Sequence, residues 1–280
     1  MIMKTIIVAT NYSNEANNAI KYAAELARYT NSKMVLFNSF ELSVHGLNTL
    51  LPGSTVQDLS IANKNRLKNI ALDLADKYSI TVESLTRTTD LMEELDYQVK
   101  HLQADLVVMG MKEAHSEYVP LGTTASVIHH AKYPILTVPE EASFNGISKI
   151  LFAYNSTCIC EANKLPVLME FAARFNAQVL VCHVEKIMGP VTHEASENNI
   201  SFNIETLLSE VDHSYKEVPE DDVLKGIEKA IKDWNANLLV MVPHKYGFWE
   251  GVRHKSKTIK MARRTRIPLL TLPNPESGIH

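Results

Sequence analysis

Short apolar runs alternate along the chain with longer stretches in which apolar residues return every third or fourth position. Residues 6–9, Ile-Ile-Val-Ala, are continuously apolar, as expected of a strand covered on both faces. Ala16, Ala19, Ile20, Ala23, Ala24 and Ala27 then recur at helical spacing, with Ser13 or Asn14 placed to cap the helix. The same pattern predicts strands over 34–40, 80–86, 105–110 and 134–138, and helices over about 56–78, 91–102 and 123–131. Strands buried on both faces that alternate with helices imply a parallel, doubly wound α/β sheet.

The pattern then repeats. KTIIVATNYS near the start returns as KILFAYNST from Lys149, YAAELARYTN as MEFAARFNAQ, ADLVVMG as ANLLVMV, and YPILTVPE as IPLLTLPN. Four segments in one order, about 130–145 residues apart, mean a duplicated domain rather than a solenoid of small repeats. The expected architecture is two tandem doubly wound domains, residues 1–140 and 147–280, joined by EEASFNG at 140–146. Each is expected to hold a five-stranded parallel sheet of strand order 3-2-1-4-5 with flanking helices. In the second half, strands are read at 149–153, 179–184, 238–242 and 269–272, equivalent to the first, second, fourth and fifth, and Pro166 delays or kinks the helix after the first. An apolar fifth strand left at a sheet edge invites pairing, so the two halves are expected to pack about a pseudo-twofold axis with residues 134–138 and 268–272 near the interface.

Composition narrows the function. With 45% hydrophobic and 21% charged residues and a net charge of −4, the chain is neither disordered nor a general polyanion binder. The basic runs HKSK and KMARRTR lack a nucleic-acid reader motif, so no nucleic-acid partner is expected. No apolar run is long enough to span a bilayer and no signal peptide opens the chain, which makes a cytoplasmic protein without a membrane partner the expectation. Cys158, Cys160 and Cys182 fit a reducing compartment and lack zinc-site spacing, so no protein-ligated metal is expected. His129 and His130 are helical neighbours that point to different faces, a poor basis for a paired site.

In open parallel sheets ligands lie beyond the carboxyl ends of the strands where strand order reverses, here between strands one and four. That directs attention to Thr10-Asn11 and to the loop GMKEAHSEYVPLGTTAS from Gly110. Gly110 is read as allowing a tight turn at the strand end. Gly122-Thr123-Thr124 offers backbone amides and two hydroxyls where a helix begins, a place for a phosphate. The same three residues also suit a plain helix cap.

The ATNYS strand end, the YAAELA helix, the DLVVMG strand, the loop to GTTAS and the closing YPILTVP together resemble the universal stress protein family, and the whole chain resembles a tandem member. In the nucleotide-binding branch of that family the phosphate loop reads G-x-x-G, about nine residues, then G-[ST]. Gly110 matches the first glycine and Gly122-Thr123 the closing pair, whereas Glu113 replaces the middle glycine and Asn11 replaces an acidic residue after the first strand. A carboxylate at 113 would repel a triphosphate, an effect that Lys112 could partly offset. The resemblance implies an adenine nucleotide, ATP with magnesium allowed, held by Ala9, Thr10, Asn11, Met109, Gly110, Lys112, Gly122, Thr123 and Thr124. It also allows a homodimer or a protein partner.

The second copy departs further. Asn155 stands for Asn11 and Ser256-Lys257-Thr258 for Gly122-Thr123-Thr124, while Lys245, Trp249, Arg253 and Lys255 offer cations and a stacking ring in a loop without the first glycine. No P-loop, nucleophile elbow or general base is present, so no catalysis is expected. Two readings stand: a stress-response protein that binds ATP in its first domain, or a scaffold that binds another protein instead.

Overall fold

A computed structural model describes residues 2–40, 53–113, 122–154, 165–185, 204–205, 207–243 and 256–273. The first repeat runs β1 (Thr5–Ala9), α1 (Asn14–Thr30), β2 (Lys33–Ser39), α2 (Gly53–Tyr78), β3 (Val82–Arg87), α3 (Leu91–His101), β4 (Leu106–Met111), α4 (Thr123–His130) and β5 (Ile135–Pro139). The second runs β6 (Lys149–Ala153), α5 (Pro166–Phe175), β7 (Gln178–Glu185), β8 (His213–Pro219), α6 (Val223–Trp234), β9 (Leu238–Met241), α7 (Lys257–Ala262) and β10 (Leu269–Thr271). Their strands form one sheet of order β3-β2-β1-β4-β5-β10-β9-β6-β7-β8, so each repeat has the order 3-2-1-4-5. Every pairing is parallel except that of β5 with β10, which is antiparallel with Leu136 opposite Leu270. The fifth strands thus meet at the pseudo-twofold, as the repeat pattern predicts.

Alternation within each strand divides the core into two layers. Ile6 and Val8 point to one face, with α1, α2 and α5. Ile7 and Ala9 point to the other, with α3, α4, α6 and α7. Both layers draw residues from both repeats, so apolar burial continues across the seam. Residues 140–146 do not act as a slack tether: Phe144 meets Tyr22 edge-on at 5.1 Å and lies 6.0 Å from Phe175, while Tyr29 stacks on Phe175 at 4.3 Å.

Helix ends follow local chemistry in both copies. Ser13 Oγ accepts from the Ala16 amide, and Asp90 and Asp222 cap α3 and α6 by accepting from Met92 and Leu224. Asn31, Asn176 and Asn235 close α1, α5 and α6 in the left-handed region. Pro166 is the first residue of α5, where its missing N–H costs nothing. That start leaves α5 with 10 residues against 17 in α1.

The third strand of the second repeat, β8, is the element that hydrophobic patterning passes over. It lies at the sheet edge with only Val218 buried, so its sequence HSYKEVP carries almost no apolar signal. Lys216, Glu217 and Pro219 on it suit an exposed edge that must not pair with other chains.

Leu270, fully buried at the seam, is expected to cost about 2–5 kcal/mol on truncation by Leu270→Ala. Leu72→Ala, on the exposed face of α2, is expected to change stability by less than about 0.5 kcal/mol. Urea unfolding of the two variants checks the contrast.

Candidate functional site

A cavity of about 350 Å³ opens at the carboxyl ends of β1 and β4, where the strand order of the first repeat reverses. Its lining includes the predicted Ala9, Thr10, Asn11, Met109, Gly110, Thr123 and Thr124. Lys112 is exposed and stands outside the lining, and Gly122 stands just beyond it as the N-cap of α4. Ser13, Glu15, Ala16, Ser39, Asp90 and Leu91 complete the wall. Motif spacing did not single these out. The visible trace is Asp90 before an apolar-periodic stretch, which marks a helix start and hence another strand-to-helix junction on this edge.

The β1–α1 turn is held in an unusual shape. Thr10 Oγ1 accepts from the Tyr12 amide at 3.0 Å and Asn11 Oδ1 accepts from the Ser13 amide at 3.1 Å. Tyr12 itself has φ 64°, a conformation that costs a non-glycine residue about 1–3 kcal/mol unless its surroundings hold it. A chain of side chains does so: Tyr12 donates its hydroxyl to Asn63 Oδ1, Asn63 Nδ2 donates to Asn38 Oδ1, and Asn38 Nδ2 donates to Thr10 O, each at 2.7 Å. The Arg66 guanidinium lies 4.0 Å from the Tyr12 ring centre. Burial raises the Tyr12 phenol above its ordinary value, with Arg66 opposing, so the hydroxyl remains a donor at neutral pH. Asn11 therefore spends its carbonyl oxygen on the loop and keeps its amide hydrogens for other acceptors.

Gly110 has a different role from the turn that its sequence position suggests. It lies inside β4, and a Cβ there would come within 2.4 Å of the Glu15 carbonyl carbon and oxygen and 2.6 Å of the Ala16 nitrogen. The absence of a side chain lets the first turn of α1 sit against the sheet. Thr124 likewise is no cap, since its Oγ1 donates to Gly110 O at 2.9 Å and ties α4 to the end of β4. Gly122 caps α4 without a side-chain bond, so among the described residues no cap side chain competes for the first amides of that helix. In contrast, α1 and α3 are capped by Ser13 and Asp90. Of the three helix starts around the cavity, α4 is the one prepared for an anion.

The carboxylate of Glu113 is not the bare charge expected from sequence. Its Oε1 lies 3.7 Å from Nε of Arg266, which belongs to the second repeat. His129 and His130, expected to point apart, bring their rings within 4.6 Å, although both are exposed. Among the described residues no group of three or more His, Cys, Asp or Glu side chains could hold a metal. No described helix is long and apolar enough to cross a membrane.

In the second repeat the Tyr154 amide donates to Cys182 O as the Thr10 amide does to Phe37 O, and His183 Nδ1 lies 3.3 Å from Tyr154 O in the place of Asn38. Val242 takes the position of Gly110, and Ser256 precedes an α7 of 6 residues. Asn155, Cys158, Cys160, Lys245, Trp249, Arg253 and Lys255 lie outside the described residues. Cys182 is buried, which pushes its thiol up to about 11, with Lys216 opposing; it is a packed strand residue.

A model of the universal stress protein family matches residues 3–139. Among solved structures, a universal stress protein from Archaeoglobus fulgidus superposes with a TM-score of 0.73 at 15% identity, over 95% of this chain and 97% of its own. A protein of unknown function from Pseudomonas aeruginosa superposes with a TM-score of 0.62 at 14% identity, over 98% and 94%. These likenesses concern the fold. No curated protein matches the chain in sequence.

The two glycines are expected to separate in their effect on stability. Gly110→Ala should destabilise by about 1–3 kcal/mol, because the clash is with backbone that cannot rotate away. Gly122→Val, with nothing within 4 Å of the new Cβ, should cost less, about 0.5–1 kcal/mol for exchanging a favoured N-cap residue for a poor one. Thermal and chemical unfolding of both variants give the comparison, and equal losses would contradict it.

Proposed function

We propose that the chain, whose first repeat matches the universal stress protein family, is a stress-response protein whose first repeat binds ATP without turning it over. The observation that carries this reading is the cavity between β1 and β4, open at the switch point and faced by the start of α4, whose N-cap Gly122 brings no side-chain acceptor. Its volume is in the range of ordinary small-molecule sites, about 300–1,000 Å³. Ala9, Met109 and Leu91 offer apolar surface for a base, while Thr10, Asn11 and Ser39 offer hydrogen bonds for a sugar. The phosphates belong at Gly122, Thr123 and Thr124.

Charge supports that orientation. Glu15 and Asp90 also face the cavity, and carboxylates accept from sugar hydroxyls but repel phosphates. Asp90 already accepts from the Met92 and Glu93 amides, which satisfies part of its charge locally. Magnesium would accompany the phosphates, and no protein-ligated metal is part of the proposal. A cytoplasmic location goes with a reduced, buried Cys182 and a cellular nucleotide.

The scaffold reading draws on Asn11 and Glu113, which stand where the resembling pattern has an acid and a glycine. Calorimetric titration of ATP with magnesium separates the two. Binding by the wild-type chain, with Gly122→Val weakening it at least about tenfold while the fold is retained, is the expected result. No heat from the wild type would favour the scaffold. Chromatography of ATP incubated with the protein is expected to recover it intact, and ADP formed in proportion to protein would overturn the absence of catalysis.

A further inference from the structure

We propose that Arg266, supplied by the second repeat, is a phosphate contact of the first repeat's site, brought beside that site by the antiparallel seam and lying against Glu113. This rests on the nucleotide reading above and names a binding residue outside the matched domain. The placement follows from the sheet. Because β5 and β10 are antiparallel, with Leu269 opposite Thr137, the chain entering β10 lies beyond the carboxyl end of β5. That is also the edge beyond the carboxyl end of β4, to which the cavity opens. A parallel seam would have sent the same segment to the opposite edge.

Local bonding then presents one arginine of the basic run. Thr265, buried, donates its hydroxyl to Ile267 O at 3.1 Å and accepts from the Ile267 amide at 3.3 Å, which turns the backbone around residue 266. The neighbouring Arg264 is committed to Glu228 at 2.9 Å. Arg266 is 83% exposed and meets Glu113 at 3.7 Å, longer than the roughly 2.7–2.9 Å of a charge-assisted hydrogen bond. Such a contact costs little to exchange. Among the described residues the cavity lining meanwhile contains Glu15 and Asp90 and no lysine or arginine. A polyphosphate at the start of α4 finds no cation among the described lining residues, and the guanidinium's planar fork suits phosphate oxygens.

Calorimetry on the full chain with ATP and with adenosine tests the contact, using Arg266→Gln, Glu113→Gln and the double variant. Arg266→Gln is expected to weaken ATP about tenfold and to leave adenosine within about twofold, as for loss of one charge-assisted contact to phosphate. The same loss is expected when Arg266→Gln is made in the Glu113→Gln background. An unchanged ATP affinity, or an equal loss for adenosine, would overturn the proposal. A loss that vanishes in the Glu113→Gln background would also overturn it, because Arg266 would then act only by screening the carboxylate. No binding of either ligand by the wild type would instead reject the nucleotide reading itself.

Discussion

The antiparallel pairing of β5 with β10 is the contact on which the rest of the molecule depends. Each repeat ends its sheet on an apolar fifth strand, and such an edge left open would expose both main-chain hydrogen-bonding groups and a buried-type surface. Joining the two edges removes that exposure and lets each core layer run through from one repeat to the other. Thr137 strengthens the join by donating its hydroxyl to Leu269 O at 3.2 Å. The remaining edges are β3 and β8, whose exposed positions are largely polar. The seam therefore makes internal a contact that separate chains could otherwise compete for.

The second constraint is the approach of α1 to β4. Because Gly110 has no side chain, the Glu15–Ala16 backbone reaches the sheet, and the start of α1 becomes one wall of the cavity. Thr124 draws the start of α4 to the same glycine from the other side. Packing and site are coupled here: the residue that permits the helix to dock is also part of the cavity lining. In the second repeat Val242 occupies the equivalent position and α5 begins only at Pro166. The framework is repeated, but this wall is not repeated in the same form.

Much of the fold was legible because burial on both faces leaves its mark on composition. Runs such as Ile6-Ile7-Val8 and the duplicated segments required two-sided strands, and the order 3-2-1-4-5 followed from the fold class that those strands imply. The strand β8 was hidden for the converse reason, since an exposed edge needs little apolar surface. At the site, residues at strand ends could be located by topology, which is why Thr10, Asn11 and Gly110 converge on one cavity. Ser39 and Asp90 could not be assigned in that way, because their arrival depends on how β2 and α3 lie beside β1. The purpose of Gly110 was misread because a close helix approach and a tight turn ask for the same residue.

Glu113 shows most clearly what a linear pattern omits. Its sequence neighbours suggest only an unfavourable charge beside a phosphate loop, whereas the partner that changes its meaning comes 153 positions later, at Arg266. That distance is closed by the seam rather than by any local motif. The pair itself is too exposed to contribute much stability, with a typical exposed ion pair worth about 0–1 kcal/mol. Its consequence is electrostatic: a negative residue on the loop of one repeat is matched by a positive residue on the entry turn of the other. Duplication with an antiparallel join thus does more than double a domain, because it places a side chain of one copy at the cavity-bearing edge of the other.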